Sequence, residues 1–289
     1  MIISGTTVNS AMSAMTEPVL YASPIFIPNL TFSQDYQIGS AGEIIVSKYK
    51  GNGATAPKKP GGDFNGTDVA NDTIRIPMNN QFLKEKKIRG VASNAVPFNM
   101  LADTVINVTE EQREGWEKAG LAKLIEGGTT SSSTTATTAS NIKETIIGLR
   151  AELAKKKCSP NVCICSVDFY SALLDYAGKE FTMMFTDEVT RSGKVGSYLG
   201  MIFVEASYLD GVSKLAYIKE DDTEAQVSTA GVEAIMYQAR AFSILELLNV
   251  LRAIDTESFV GTKVQSDITA GYKVTNKDCV MIKTVTVTP

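Results

Sequence analysis

The strongest constraint on this chain is how much of its front end is apolar or extended with no helical or strand period to bury it. In residues 1–38, Pro18, Pro24 and Pro28 alternate with Val19, Leu20, Tyr21, Ile25, Phe26, Ile27 and Leu30. Proline removes backbone donors and blocks helix, while this much apolar surface does not suit a solvated tail. The segment reads as an extended arm that needs a surface to lie on, either another molecule or its own domain. Further along, Gly42–Tyr49 and Asp72–Pro77 are strand candidates, by β-branched content and by the alternation of Ile74 and Ile76 with polar neighbours. Between them, Lys50 to Asn71 is rich in Gly, Asn and Lys, with Pro57-Lys58-Lys59-Pro60-Gly61-Gly62 at its centre. Hairpin loops take about two to five residues, so this connection is either disordered or held from outside its own domain. Ordering a residue costs on the order of 1–2 kcal/mol, which arm and loop cannot offset from their own small core. An assembly in which each copy meets several neighbours can.

The rest of the chain carries clear element signals. Thr109, with Glu110, Glu111 and Gln112 behind it, reads as the capped start of a helix. Its apolar face is Trp116, Gly120, Leu121 and Leu124, and Gly127-Gly128 ends it. Thr129 to Ser140 is almost all Ser and Thr, a connector and the clearest internal boundary. Asn141 and Glu144 open a second helix with Ile142, Ile146, Leu149 and Leu153 on one face and Lys155-Lys156-Lys157 as a solvated end. A buried strand, 162–167, passes through Asp168 as N-cap into a helix over 169–176, and strands follow at 200–205 and 215–219. Residues 271–287 read as two terminal strands. Helices and strands interleave without a strict βαβ rhythm, which predicts an α+β fold.

Composition removes whole classes of function. There is no histidine, which excludes Ser-His and Cys-His nucleophiles and His-ligated metals. The formal net charge of -4 argues against a protein that grips nucleic acid through a basic face. No run of about 20 apolar residues is long enough to span a bilayer, and the first residues lack the pattern of a signal peptide. Cys158, Cys163, Cys165 and Cys279 have neither paired metal-site spacing nor the density of a disulfide scaffold, so they read as buried, reduced core thiols. Gly193-Lys194-Val195-Gly196-Ser197 lacks the spacer of a phosphate loop, and Glu220-Asp221-Asp222 reads as a solvated turn and not a calcium loop. No enzyme, cofactor site or metal site is expected.

From Asn141 onward, the order of segments resembles the major capsid proteins of tailed bacteriophages, the Hong Kong 97-type fold. The residues that carry this are Val162–Leu174 (strand, polar turn, aromatic and double-leucine helix), Gly193–Ser207, Val232–Tyr237, Gly271–Val274 and Val280–Lys283. The resemblance implies an N-terminal arm at 1–38, an extended β-loop at 39–95 and a peripheral domain with spine helix at 96–141. It further implies an axial domain at 142–245 and C-terminal strands at 246–289 returning to the peripheral domain. It implies self-assembly into hexamers and pentamers of an icosahedral head around double-stranded DNA, without sequence specificity and without a membrane. A separate scaffold protein, a portal and decoration proteins are the implied partners, with assembly in the bacterial host cytoplasm and a final place in the virion. An encapsulin-like nanocompartment shell and a β-rich phage tail or adhesion protein are the alternatives. The residues expected to serve assembly are Ile25, Phe26, Ile27, Lys58, Lys59, Phe64 and Trp116.

Overall fold

The computed structural model describes residues 21–34, 43–50, 70–90, 100–180, 197–255 and 259–286. Two antiparallel strands, β1 (Glu43–Lys50) and β2 (Ala70–Pro77), pair from Glu43↔Pro77 to Lys50↔Ala70, so the two strands expected to flank the long loop do form one ribbon. The loop's centre, 51–69, lies outside the described residues, as do 1–20, 35–42 and the glycine-lysine segment at 193–196. Strand β3 (Asn80–Arg89) follows at once.

Helix α1 runs Met100–Gly127, nine residues earlier than the sequence suggests. Thr109 is therefore inside it, and its hydroxyl donates to the Val105 carbonyl (2.9 Å) instead of capping. The expected apolar face is buried, including Trp116, Leu121 and Leu124. It continues into Gln112, whose side chain donates to the Phe82 carbonyl (2.6 Å) and accepts from the Ser266 hydroxyl. Gly120 is needed for close approach, because a Cβ there would stand 2.9 Å from the Phe26 ring and 3.2 Å from that of Tyr272.

After the short strand β4 (Thr129–Thr130) come α2 (Ile142–Lys155), β5 (Val162–Cys165), α3 (Val167–Glu180), β6 (Ser197–Tyr198) and β7 (Met201–Glu205). The four predicted core positions of α2 are all buried. Asn141 does not cap it; its side-chain oxygen accepts from the Thr138 N–H (2.7 Å) behind it. Ser166, not Asp168, opens α3, its hydroxyl accepting from the Phe169 N–H (3.3 Å). Next are the hairpin β8 (Lys214–Ile218) and β9 (Glu224–Ser228), then β10 (Val232–Tyr237), a 3-10 turn at Ala239–Ala241 and the long hairpin β11 (Phe242–Asp255) and β12 (Gly261–Val274). Glu220-Asp221-Asp222 is the solvated turn between β8 and β9, as expected. A 3-10 turn at Lys277–Cys279 leads into β13 (Val280–Thr284).

Six strands in the order β4-β13-β10-β5-β7-β6 form the main sheet, and β11-β12-β3 form a second one. Strand β5 is buried along its whole length, and its Val-Cys-Ile-Cys run is the continuous apolar pattern of a strand covered on both faces. Two expected boundaries change. Residues 80–89, counted with the loop, are a strand of the second sheet. The closing segment divides: β12 pairs with β3 beside α1, while β13 pairs with β10 and joins the sheet of the 142–245 region. Cysteine behaviour changes too. Cys163 and Cys165 are buried free thiols, but Cys158 and Cys279, 121 residues apart, are bonded to each other.

The Ser/Thr connector is held more tightly than its composition suggests. Lys283, fully buried, donates to the carbonyls of Ser133 (2.9 Å) and Thr135 (2.6 Å). Glu233 accepts from the Thr137 N–H (3.0 Å) and hydroxyl (2.6 Å), and Glu152 from the hydroxyls of Ser131 (3.3 Å) and Ser132 (2.5 Å). Burial pushes the Lys283 ammonium down from the usual lysine range, with Glu233 and Glu152 acting against that. Lys283→Met removes the donor and strands two carbonyls, a loss of about 2–4 kcal/mol. Chemical denaturation should show that loss, and hydrogen exchange should place the faster-exchanging amides in 131–138.

A candidate assembly surface

The arm is the first surface element expected from sequence, and residues 21–34 lie on the chain's own α1. Tyr21 donates to the Asn107 side chain (2.6 Å), and the Ala22 N–H to Glu114 (3.3 Å). Arg113 donates to the Ala22 carbonyl (2.6 Å), and the Ile25 N–H donates to Glu117 (2.9 Å). A turn at 27–31 follows, with Asn29 in the left-handed region (φ 59). Then Tyr237 donates to the Thr31 carbonyl (2.8 Å) and the Ser33 N–H to the Phe242 carbonyl (2.9 Å). Phe26 and Phe32 enter a ring cluster with Trp116 and Phe242, at centroid distances of 5.5–6.3 Å.

Of the residues expected to serve assembly, Ile25, Phe26 and Trp116 are brought together and buried in this subunit's own core. While the arm holds this position they have no surface left for a neighbour, so for 21–34 the reading of an arm on its own domain prevails. Ile27 is the exception and stands exposed. Lys58, Lys59 and Phe64 lie outside the described residues.

The surface that sequence reasoning missed is the second sheet, whose two edges differ. Strand β3, at one edge, is guarded by charge. Lys84 (2.7 Å) and Lys86 (2.5 Å) pair with Glu111 of α1, holding that carboxyl below its ordinary range. Glu85 meets Gln265 of β12 (2.6 Å), which in turn meets Arg252 of β11 (3.1 Å). Lysines on an edge strand are a recognised defence against unwanted pairing. Strand β11, at the other edge, carries no lysine, and its charged residues are Glu246, Arg252 and Asp255. Among the described residues it pairs only with β12, apart from a bridge at Ser243. A register shift between Glu246 and Leu248 sets off its outer part. There Val250 (39% exposed) and Leu251 (44%) are adjacent and so point to opposite faces, and Leu247 and Ile254 are exposed as well. Helix α1 packs on β12 and β3; Phe242 to Leu245 of β11 are buried, whereas its outer residues from Glu246 onward are exposed wherever their side chains are described. Leu83, Asp267 and Val250 stand in one row across the sheet, beside a depression of about 550 Å³ lined also by Arg252 and Gln265. An edge that exposes apolar residues beside open backbone donors and acceptors can take a strand or an apolar face from another chain. The alternating periodicity that would reveal such a strand is missing because each face mixes apolar and polar residues: Val250, Arg252 and Ile254 on one, Asn249, Leu251, Ala253 and Asp255 on the other.

Glu117, which holds the arm, is also a buried charge with one oxygen unpartnered. Burial raises its carboxyl above the ordinary range, with the Ile25 N–H and Arg113 pulling the other way. Tyr208 and Tyr272 face it, their phenols pushed up by burial first and by nearby carboxylates second, while Glu110 and Glu114 line the same helix. A carboxyl whose pKa is higher folded than unfolded holds its proton more tightly when folded. Its charged form therefore weighs against folding above the folded value, and that penalty fades as pH falls through it. Glu117→Gln keeps an oxygen for Ile25 and removes the penalty. Its melting temperature relative to the parent's should therefore be highest at pH 8 and decline toward pH 5; a constant offset would contradict the assignment.

No family model matches this chain, and no curated protein matches it by sequence. Its fold, however, is that of phage capsid structures. It is similar to the capsid structure of the cyanophage P-SCSP1u, with a TM-score of 0.74 at 12% identity over 98% of this chain and 94% of that one. It is equally similar to a structure of Mycobacterium phage Che8, with a TM-score of 0.74 at 15% identity over 96% and 97%. The mature capsid of bacteriophage PhiM1 gives a TM-score of 0.65 at 13% identity over 97% and 94%. The α+β capsid fold implied by the sequence is thus the one observed.

Proposed function

We propose that this chain is a major capsid protein, a virion shell subunit that associates with copies of itself. The observation that carries the reading is a likeness to capsid chains over nearly the whole chain, combined with a strand edge that exposes apolar residues on both faces. In this reading the subunit joins hexamers and pentamers around double-stranded DNA, assembled in a host cytoplasm with a separate scaffold, a portal and decoration proteins. Residues 142–245 with β13 form the axial part, and α1 with the β3-β12-β11 sheet forms the peripheral part. The ribbon β1–β2 carries the 51–69 loop, with Lys58, Lys59 and Phe64, onto a neighbour, and Ile27 marks the exposed side of the arm. A shell subunit works by shape and association, so the reading assigns no catalytic residue.

The outer part of β11 tests it. Val250→Lys combined with Leu251→Lys changes exposed positions, where substitutions shift stability by about 0.5 kcal/mol or less. The variant should melt as the parent does and yet form no shells in negative-stain images, where the parent, expressed with its scaffold, gives round particles. Replacing 51–69 by Asn-Gly, which closes Lys50 onto Ala70 as a tight turn, should likewise leave a folded, unassembled subunit. Shells of normal yield from both variants would overturn the roles of edge and loop. A parent that stays monomeric or forms tubes would overturn the function.

A further inference from the structure

The Cys158–Cys279 bond sits where the chain is already held without it. Cys158 follows α2, and its N–H donates to the Leu153 carbonyl (3.0 Å). Cys279 ends a 3-10 turn, donating to the Asn276 carbonyl (3.1 Å) and accepting from the Gln238 N–H (3.2 Å). Beside the bond, Lys156 pairs with Asp278 (3.7 Å), and the Thr129 hydroxyl donates to the Lys277 carbonyl (3.2 Å). The strand that follows, β13, is paired on both sides, with β10 and with β4. None of these contacts uses either sulfur atom. What the bond adds is topological: it closes 121 residues, from the end of α2 to the start of the last strand of the main sheet.

No other thiol competes for it. Cys163 and Cys165 lie side by side in β5 with sulfurs 3.6 Å apart and no exposure, out of reach of a small-molecule disulfide, and burial pushes the Cys165 thiol well up; Cys158 and Cys279, though buried, keep 6% and 4% exposure. The chain thus has one disulfide and two buried thiols that do not take part in it.

We propose that Cys158–Cys279 is a staple closed after folding: open while the chain folds and associates, then oxidised to fix the finished subunit. For the stage at which it closes, this rests on the shell reading. Disulfides persist in oxidising surroundings and not in reducing ones. Closure removes two protons and two electrons from the two thiols as the S–S bond forms. A small-molecule disulfide accepts them through a mixed-disulfide step and leaves as two thiols.

The experiment uses the full chain, expressed in a reducing cytoplasm and trapped with an alkylating agent at lysis, then denatured and weighed. Four alkylatable thiols are expected; after purification and treatment with oxidised glutathione, two are expected. The oxidised chain should melt roughly 5–15 °C above the reduced one. Cys158→Ser with Cys279→Ser should match the reduced parent and gain nothing from oxidant. A bond already closed in the cytoplasmic chain, or no rise in melting on oxidation, overturns the proposal. If the double variant does not fold, the parent kept in reductant decides, and its unfolding would show that the bond directs folding and overturn the staple. Particle imaging separates the two readings. Shells from the double variant support closure after association, and shells only from oxidised parent refute it. If no form assembles, the shell reading fails, and a bond still open in cells and stabilising on oxidation keeps the staple as a property of the subunit.

Discussion

The ring cluster of Phe26, Phe32, Trp116, Phe242, Tyr237 and Tyr272 is the contact on which the rest of the subunit depends. Tyr237 ends a strand of the main sheet and Phe242 begins a strand of the second one, with only the 3-10 turn between them. Trp116 comes from α1, and the two phenylalanines from the arm. One apolar knot therefore joins both sheets, the long helix and the arm. Such rings bury large areas and favour the edge-on and tilted pairings seen here. Its polar ends are used as well: the Tyr272 hydroxyl donates to the Trp116 carbonyl (3.0 Å) and the Tyr237 hydroxyl to the arm. Without the arm, two rings leave the knot and Glu117 loses the Ile25 N–H that partly compensates for its burial.

From that knot the second sheet extends as a hairpin with contrasting margins. Its β3 side is charged and tied to α1 through Glu111, which fixes the sheet's position on the helix. Its β11 side exposes Leu247, Val250, Leu251 and Ile254 past the register shift at Glu246, with Arg252 tied back to Gln265. One edge of this sheet is defended by charge, and the other exposes valine on one face and leucine on the other. The Glu85-Gln265-Arg252 row runs across all three strands and holds the β11 margin in register with the defended one. The outer strand is therefore presented by a braced platform.

Much of this was legible in the sequence where one residue pattern meets one environment. The apolar face of α2, the buried Val162–Cys165 strand and the Glu220–Asp222 turn follow from period, burial and charge, and segment order carried the resemblance to capsid proteins. The failures share a cause, since each hinges on a partner far along the chain. Strand β3 is lysine-rich and reads as loop until Glu111 is known to wait on α1. Helix α1 begins at Met100, ahead of a Thr109 whose neighbours imitate a cap. The Ser/Thr connector looks loose because Lys283, which orders it, arrives about 150 residues later. Cys158 and Cys279 carry no spacing signal at all. The open edge of β11 was missed for a local reason: polar Asn249, Arg252 and Asp255 fall on both faces among the apolar residues, so it offers no alternation to read.

The distribution of polar support differs between the main sheet and the arm. Around the main sheet, three ionised side chains (Lys283, Glu233 and Glu152) hold a connector that has almost no apolar content of its own, and the Cys158–Cys279 bond closes the same region. Around the arm, by contrast, one carboxylate is left with a lone unpartnered oxygen and a raised pKa, and the buried Trp116 indole N–H has no acceptor. Buried polar atoms without partners each weigh about 1–3 kcal/mol against the state that contains them. The arm's seat is thus held chiefly by its packed rings, with some buried polar atoms left unsatisfied, whereas the connector at the main sheet is held chiefly by its polar partners.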